Sequence, residues 1–326
     1  MVALGGLANG CGGGAENPRP SAGTGGEVAG SGGAGVGSGA GAGAPAAGGG
    51  GTTASGSGGS SGRAAAGSGG QNGSAAGGGA AGVPAAGSGG SWWKPVPGTS
   101  WQWQLTGKLD TSLEVDVYDI DLFTTPAATI QLLHGQGRKV ICYMDTAYEP
   151  DRPDSAALEP YRGNPIDGWP GQYWLDVREP KVLEVMKARI AMAESKGCDA
   201  IEADDVDARS NDPGFPIRPA EQQAFIRALA VETHAKGMAF GLKNDLEEID
   251  ALIDVSDFAI NEECFAYDEC DALLPFIRAN KAVFHVEYSD DDLAGKADEI
   301  CQEANRRNFD SLVKRWDLDA ARRACR

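Results

Sequence analysis

The sequence predicts an α/β fold, a (β/α)8 TIM barrel over residues 92–326, preceded by a disordered Gly/Ala/Ser-rich N-terminal tail over residues 1–91. Three observations predict it. The composition changes abruptly near residue 91, eight short apolar runs alternate with amphipathic stretches beyond that point, and polar residues follow most of these runs. Such alternation is typical of βα units wound around a parallel sheet.

The tail is set apart by its composition. It is nearly all Gly, Ala and Ser, and it has no cluster of large apolar side chains whose burial would offset the entropy lost on ordering. Its charged residues are Glu16, Arg19, Glu27 and Arg63. These four charges cancel, so the net charge of −18 belongs to residues 92–326. We therefore predict a flexible tether with no net charge, joined to an acidic globular domain.

The sequence ANGC, which ends at Cys11, resembles the end of a bacterial lipoprotein signal and is followed by the long tail. The apolar stretch from Leu4 to Leu7 is too short for a signal peptide, and no basic residue precedes it. Two interpretations stand: a lipidated Cys11 that tethers the protein to a membrane, or a lone cysteine in a flexible segment. We expect a secreted or cell-surface protein.

Eight runs rich in β-branched and aromatic residues predict eight strands. They cover Trp101–Leu105, Val115–Ile120, Lys139–Tyr143, Cys198–Glu202, Met238–Leu242, Phe258–Ile260, Ala282–Val286 and Phe309–Val313. A closed barrel fits this number better than an open doubly wound sheet, because no G-x-G-x-x-G turn follows the first strand. Two intervening helices end alike, at Gly197 and Gly237, where glycine accepts the left-handed conformation that terminates a helix.

The six cysteines of the domain predict two local disulfides. Cys264 and Cys270 are six residues apart in a probable loop, and Cys301 lies in the last long helix, near enough to pair with Cys325. Cys142 and Cys198 fall in or beside core strands, where we expect free buried thiols. No cysteine or histidine spacing matches a zinc site, and we expect neither a metal nor a cofactor.

Polar residues, most of them acidic, cluster where the predicted strands end. They are Asp119, Asp121, Tyr143, Asp145, Glu202, Asp204, Asp205, Lys243, Asn244, Asp245, Asn261, Glu262, Glu263, Glu287 and Tyr288. One aspartate in such a place more often caps the next helix, but acidic residues at successive strand ends converge on one face of a barrel. Paired carboxylates are what glycosidic bond cleavage requires, one as an acid and one as a nucleophile or base.

Other chemistries fit this sequence less well. The three histidines, His134, His234 and His285, offer no relay from a nucleophile through an imidazole to a carboxylate. The acidic stretch 205–212 fails the calcium-loop pattern, because Arg209 stands where an oxygen ligand belongs and Ser210 where glycine should be. A long loop after the third strand carries Trp169 and Trp174, which either frame a polysaccharide cleft or pack in the core.

Seven segments, in order through most of the domain, resemble glycoside hydrolase family 114, the endo-α-1,4-polygalactosaminidases. They are WQWQL (101–105), VYDIDLF (117–123), GRKVICY (137–143), GCDAIEADDVD (197–207), GLKND (241–245), NEEC (261–264) and VEY (286–288). The resemblance implies internal cleavage of α-1,4-linked galactosamine polymers with retention of configuration. It also implies that Asp204 is the nucleophile and Glu262 the acid/base.

This sequence departs from the family pattern at Ala203, which replaces proline, and at Asp205, which replaces asparagine. An ionised Asp205 cannot donate a hydrogen bond and adds a like charge beside the nucleophile. Three placements are compatible with this change: a partly protonated carboxyl, a contact with a substrate ammonium, or a side chain that points away from the site. Alternation along the fourth strand favours Asp204 over Asp205 as the nucleophile.

The remaining site candidates are predicted to bind substrate. They are Asp119, Asp121, Tyr143, Glu202, Asp205, Asp207, Lys243, Asn261, Glu287 and Tyr288. For Asp119, Asp121, Glu287 and Tyr288, hydrogen bonds inside the barrel are an equal alternative. Galactosamine carries an ammonium that carboxylates and aromatic faces can both hold.

The net charge of −18 favours a cationic partner and opposes nucleic acid, although acidity also simply aids solubility. We expect a monomer acting on a cationic amino-sugar polysaccharide. Two alternatives remain open: a barrel glycosidase that acts on another α-linked polysaccharide, and a non-catalytic polysaccharide-binding lipoprotein at the cell surface.

Overall fold

The computed structural model describes residues 91–326 and contains all eight predicted strands. Numbered in chain order, they are β1 (Trp101–Gln104), β2 (Val117–Asp121), β3 (Lys139–Asp145), β6 (Ala200–Asp204), β7 (Ala239–Lys243), β8 (Phe258–Glu262), β9 (Val283–Tyr288) and β10 (Asp310–Lys314). Three short strands were not predicted: β4 (Arg162–Pro165), β5 (Tyr173–Leu175) and β11 (Arg322–Ala324). The predicted tail up to residue 90, including Cys11, lies outside the described residues.

Seven of the eight strands end one or two residues later than predicted. The predicted strands followed the apolar runs, but a polar side chain that faces the mouth of a barrel does not interrupt the backbone ladder. As a result Asp204, Lys243, Glu262 and Tyr288 are each the last residue of a strand. Main-chain pairing within the sheet, rather than a loop, therefore fixes their backbone positions.

The main sheet is ordered β1-β2-β3-β6-β7-β8-β9-β10-β11, and every neighbouring pair is parallel except β10 and β11. The C-terminal segment fills the seam between β10 and β1. There the backbone N–H of Leu105 donates to the carbonyl of Leu318 at 3.0 Å, and the amide of Gln102 donates to the carbonyl of Ala320 at 3.1 Å. The sheet thus closes into the predicted barrel.

Seven α-helices cover the outside of the barrel. They are α1 (Ala127–Gly135), α2 (Ser155–Leu158), α3 (Pro180–Lys196), α4 (Pro219–Ala235), α5 (Ile249–Leu252), α6 (Leu274–Arg278) and α7 (Leu293–Arg307). Both predicted helix ends are confirmed, because Gly197 and Gly237 have positive φ angles of 92° and 72°. Among residues 91–326, we find no helix with the length and apolar character needed to cross a bilayer.

Aromatic residues fill the interior of the barrel beneath its mouth. The rings of Trp101 and Phe284 lie 4.8 Å apart, and those of Phe258 and Phe284 lie 5.6 Å apart. Gly241 leaves room for this layer, since a Cβ atom there would come within 2.4 Å of the Phe258 ring. Any larger residue at position 241 would displace the floor on which the polar groups of the mouth rest.

Three disulfides cross-link the domain, and one of them corrects a prediction. Cys264–Cys270 and Cys301–Cys325 are confirmed. The prediction of free thiols at Cys142 and Cys198 is wrong, because these residues form a third bridge with Cα atoms 6.0 Å apart. Cys142 lies on β3 and Cys198 just precedes β6, and the two strands become neighbours only through a pairing of segments 56 residues apart.

We predict that removing the Cys142–Cys198 bridge destabilises the domain more than removing Cys264–Cys270. Loop-closure entropy gives a loss of about 4 kcal/mol for the longer loop and about 2 kcal/mol for the shorter one. Urea unfolding of C142A/C198A and C264A/C270A under non-reducing conditions measures both free energies. An equal or smaller loss in C142A/C198A would contradict the prediction.

Candidate active site

A cavity of about 520 Å³ opens at the carboxyl ends of the parallel strands. Its acidic lining residues are Asp167, Asp204, Asp205, Asp207, Asp212 and Glu262, and its aromatic ones are Trp103, Tyr143, Trp169, Trp174, Tyr288 and Trp316. None of the residues within 91–326 that line it is basic. The cavity therefore combines concentrated negative charge with flat apolar faces.

Asp204 is held at the end of β6 by main-chain contacts. Its carbonyl accepts hydrogen bonds from the backbone N–H and the hydroxyl of Thr146, at 2.9 and 2.8 Å. Its Oδ1 accepts the backbone N–H of Asp205 at 2.9 Å. Asp205 adopts a φ of 55°, the left-handed region that Asn and Asp tolerate best after glycine. This turn aims the N–H of Asp205 at the Asp204 carboxylate.

Tyr288 and Asn244 hold Glu262 at the end of β8. The Tyr288 hydroxyl donates to Oε1, and the Asn244 amide donates to Oε2 at 3.5 Å. The backbone N–H of Glu262 donates to the Asn244 side-chain oxygen at 3.0 Å. That oxygen also accepts the Asn261 amide at 3.2 Å, so Asn244 links the two residues that end β8.

Lys243 lies between the two carboxylates. Its Nζ is 2.8 Å from Asp204 Oδ2 and 2.9 Å from Glu262 Oε2, so these two oxygens are no more than about 5.7 Å apart, the sum of the two distances. The carboxyl groups of retaining glycosidases are about 5–5.5 Å apart and those of inverting enzymes about 6.5–9.5 Å apart. The separation here matches a retaining pair.

Burial distinguishes Lys243 from the groups that it contacts. Its side chain is 1% exposed, whereas those of Asp204 and Glu262 are 20% and 25% exposed. Burial alone lowers the pKa of a lysine, but Asp204, Glu262 and Glu202 outweigh it and hold the pKa of Lys243 well above its usual range. The residue is a permanent cation beneath the cavity rather than part of its lining.

Asp119 and Glu202 form a fully buried pair below Lys243. None of their four carboxylate oxygens accepts a hydrogen bond from an N–H or O–H group of residues 91–326. Burial raises the pKa of Asp119 to about 7, and burial together with the Asp119 carboxylate raises the pKa of Glu202 well above its usual range. Two carboxyl groups buried next to each other do not both ionise near neutral pH, so the pair retains a proton.

Asp205 lies in the cavity wall and does not point away from the site. Burial together with the Asp145 carboxylate raises the pKa of Asp205 well above its usual range. Burial also raises the pKa of Asp145 to about 7 and that of Asp207 to about 6. Of the three placements compatible with the sequence, a protonated carboxyl fits this surrounding best, within reach of a ligand in the cavity.

The β4–β5 hairpin and the C-terminal segment supply the rim of the cavity. Trp169 and Trp174, from the long loop after β3, belong to its lining. Trp316, from the C-terminal segment, also lines it and stacks on Tyr288, with ring centroids 4.0 Å apart. Burial and the nearby carboxylates of Asp204 and Glu262 keep the pKa of Tyr288 well above its usual range, so its hydroxyl remains a donor.

The predicted substrate contacts fall into three groups. The cavity lining includes Tyr143, Asp205, Asp207 and Tyr288, and the layer beneath it contains Asp119, Glu202, Lys243 and Asn261. Asp121 and Glu287 lie apart from both. Asp121 pairs with Arg152 at 2.9 Å, and Glu287 accepts the backbone N–H of Phe265 at 2.9 Å.

Sequence reasoning did not include Asn244, Trp316, Asn164 or Gln172 among the site residues, although all four line the cavity. Asn244 follows the end of β7 immediately, which is a signal that sequence reasoning could have used. Trp316 lies two residues after β10, and Asn164 and Gln172 belong to the unpredicted hairpin region. Only the folding of these segments over the barrel mouth brings the last three to the site.

A row of Ser311, His285 and Glu287 has the residue types of a catalytic relay. His285 Nδ1 is 2.9 Å from the Ser311 hydroxyl, and His285 Nε2 is 3.1 Å from Glu287. All three residues are at most 2% exposed, and the imidazole packs against Phe265 on the outer side of the sheet. These three buried residues have a structural role, because no substrate can reach them.

Within residues 91–326, one group of side chains has the spacing of a metal site: Cys264, Cys270 and His285. The two cysteines are joined in a disulfide, so neither thiolate is available as a ligand. The buried imidazole alone does not make a metal site.

Comparison with known proteins relates this chain to enzymes that act on sugars. The model of glycoside-hydrolase family GH114 matches residues 83–326. The crystal structure of Aspergillus fumigatus Ega3 in complex with galactosamine is similar at 36% identity and a TM-score of 0.69, covering 72% of this chain and 98% of that one. The glycoside hydrolase domain of PelA from Pseudomonas aeruginosa shares the fold at 13% identity and a TM-score of 0.57, covering 69% and 98%. None of the curated proteins matches the sequence.

We predict that Asp245→Asn stabilises the domain at pH 8 but not at pH 4. Asp245 is 3% exposed, its Oδ1 accepts the Gln222 amide at 3.0 Å, and its Oδ2 has no donor among residues 91–326. Burial raises its pKa to about 8. Because the folded-state pKa exceeds the unfolded one, the wild type loses stability between about pH 4 and pH 8, as only the unfolded chain ionises.

Asparagine removes that loss and retains the hydrogen bond, so we expect a gain of about 1–3 kcal/mol at pH 8. Urea unfolding at both pH values measures it, with the exposed Asp151→Asn as the matched control. A gain at pH 4 as large as that at pH 8 would show that the burial of a charge is not the cause.

Proposed function

The chain belongs to glycoside hydrolase family GH114, and we propose that it cleaves an α-1,4-linked galactosamine polymer at internal bonds, with retention of configuration. In this proposal Asp204 is the nucleophile and Glu262 the acid/base. The observation that carries it is the cavity itself, where these two carboxylates are set at the spacing of a retaining pair in a lining with six acidic residues and no basic one among those described.

The charge of the cavity supports a cationic substrate. Each unacetylated galactosamine unit bears an ammonium, and carboxylates attract and bind that group. Asp207 and Asp212 follow the nucleophile in the chain and line the cavity together with it. The solved structure of Ega3, similar to this chain at 36% identity, holds galactosamine, which supports the same class of sugar here.

The aromatic rim supports binding of a polymer. Trp169 and Trp316, from two separate segments of the chain, both line the cavity and offer aromatic faces on which sugar rings can stack. Trp169 is 41% exposed, a high value for a tryptophan and one that favours a ligand-binding role. More than one aromatic residue in the lining suits a polymer that binds through more than one sugar, as internal cleavage requires.

The proposed reaction has two steps. In the first, Asp204 attacks the anomeric carbon, the glycosidic C–O bond breaks, and the leaving oxygen takes the proton of Glu262. In the second, Glu262 removes a proton from water, whose oxygen attacks the anomeric carbon and releases Asp204. The Tyr288 hydroxyl donates to Glu262 throughout and stabilises its ionised form between the two steps.

Three disulfides within residues 91–326 favour an oxidising compartment, and a secreted or cell-surface enzyme accords with an extracellular polysaccharide as substrate. A lipid tether at Cys11 and a monomeric state remain predictions.

We predict that Asp204→Asn and Glu262→Gln each lower kcat on poly-α-1,4-galactosamine by about 10³-fold or more, because each removes a group that makes or breaks a bond. Both substitutions are isosteric, so the melting temperature should confirm an intact fold. Asp121→Asn, outside the cavity, is the matched control. Turnover near the wild-type rate in either variant would remove that residue from the mechanism.

We predict that the wild-type enzyme releases oligomers from de-N-acetylated galactosamine polymer but not from neutral α-galactans. NMR of the new reducing end should show the α-anomer first if configuration is retained. Cleavage of neutral galactan at a similar rate would favour another α-linked substrate, and binding without cleavage would favour a non-catalytic polysaccharide-binding protein.

A further inference from the structure

We propose that Lys243 is a positioning residue that sets the ionisation of both catalytic carboxylates, rather than a residue that contacts substrate. The inference rests on the roles proposed above for Asp204 and Glu262. On this proposal, one buried side chain determines the pH range in which the enzyme is active.

The position of the ammonium excludes direct contact with a sugar. Lys243 contacts both carboxylates, at 2.8 Å from Asp204 and 2.9 Å from Glu262, but its side chain is only 1% exposed and does not line the cavity. Its Nζ also lies 5.0 Å from the centre of the Trp103 ring, which lines the floor of the cavity. A ligand in the cavity meets Asp204, Glu262 and Trp103 before it can reach Lys243.

The groups beneath Lys243 explain why a cation is needed there. Glu202 lies 3.6 Å from its Nζ, and the buried Asp119 carboxylate raises the pKa of Glu202. Asp119, Glu202, Asp204 and Glu262 would carry four negative charges if all were ionised, an excess that a protein interior does not tolerate. The Lys243 ammonium compensates one of these charges, and a proton retained by the buried pair Asp119 and Glu202 removes a second.

The effect on catalysis has a definite sign. An opposite charge at hydrogen-bond distance favours the ionised form of a carboxyl group and lowers its pKa. The reaction requires Asp204 ionised, which sets the acidic limb of the pH profile, and Glu262 protonated, which sets the alkaline limb. Loss of the Lys243 charge should therefore move both limbs towards higher pH.

Other titratable groups also face this centre. They are Asp119 on β2, Tyr143 and Asp145 on β3, Glu202 on β6, Asp205 and Asp207 after it, Glu263 after β8, and Tyr288 on β9. All of them remain in a variant that changes Lys243 alone. A difference between the wild-type and variant pH profiles on one substrate therefore reports the lysine charge. The amines of the substrate titrate in the same way in both measurements, so they do not contribute to that difference.

The test compares pH profiles of kcat/KM on one defined α-1,4-galactosamine oligomer for wild type, Lys243→Met and Lys243→Arg. We expect both limbs of K243M to move upward by about 1–3 pH units, the shift that a close opposite charge causes. K243R retains the charge, so its limbs should stay in place even if its rate falls. Unmoved limbs in K243M overturn the proposal, pointing to a substrate contact if KM rises and to a purely structural role if only kcat falls.

A second variant keeps the test decisive. The double substitution D119N/E202Q removes the negative charge of the buried pair and retains Lys243, so both limbs should move to lower pH. If K243M does not fold or turn over, Lys243→Gln replaces it, and if that also fails, the double variant decides. An upward shift or none in D119N/E202Q would contradict the charge balance. Absence of turnover in the wild type would instead refute the proposed function.

Discussion

The contact of one buried ammonium with two carboxylates is the interaction on which the rest of the site depends. Lys243 lies within 3 Å of both Asp204 and Glu262, and it fixes their separation as well as their charge. Without a cation at this point, two carboxylates so close together would repel each other and one would take up a proton. The barrel supplies that cation from β7, the middle one of three neighbouring strands, which lies between β6 and β8.

The backbone around the site is shaped to keep these groups in place. Asp204, Lys243 and Glu262 each end a strand, and the residue that follows each of them, Asp205, Asn244 or Glu263, has a positive φ angle. Such conformations cost about 1–3 kcal/mol each and persist where the surrounding structure over-determines them. They turn the chain away abruptly, so that the last residue of each strand keeps the regular inward direction of the sheet.

The excess of acid over base is distributed in two layers with different roles. The layer exposed in the cavity, which includes Asp207 and Asp212, is available to a cationic ligand. The layer beneath, Asp119 and Glu202, has no access to solvent and balances its charge internally with a retained proton and Lys243. The net charge of the chain combines both layers and therefore overstates what a substrate meets.

The sequence by itself determined the barrel, its eight strands, two of its three disulfides, and the convergence of acidic residues at one end. Each of these follows from local periodicity or from short-range spacing, and the side-chain alternation that places Asp204 with Glu202 is local too. The tertiary structure alone decided the Cys142–Cys198 bridge, the buried position of Lys243, and the exclusion of Asp121 and Glu287 from the cavity. These depend on which strands become neighbours and on how deep each side chain lies, and both are set by packing between segments far apart in the chain.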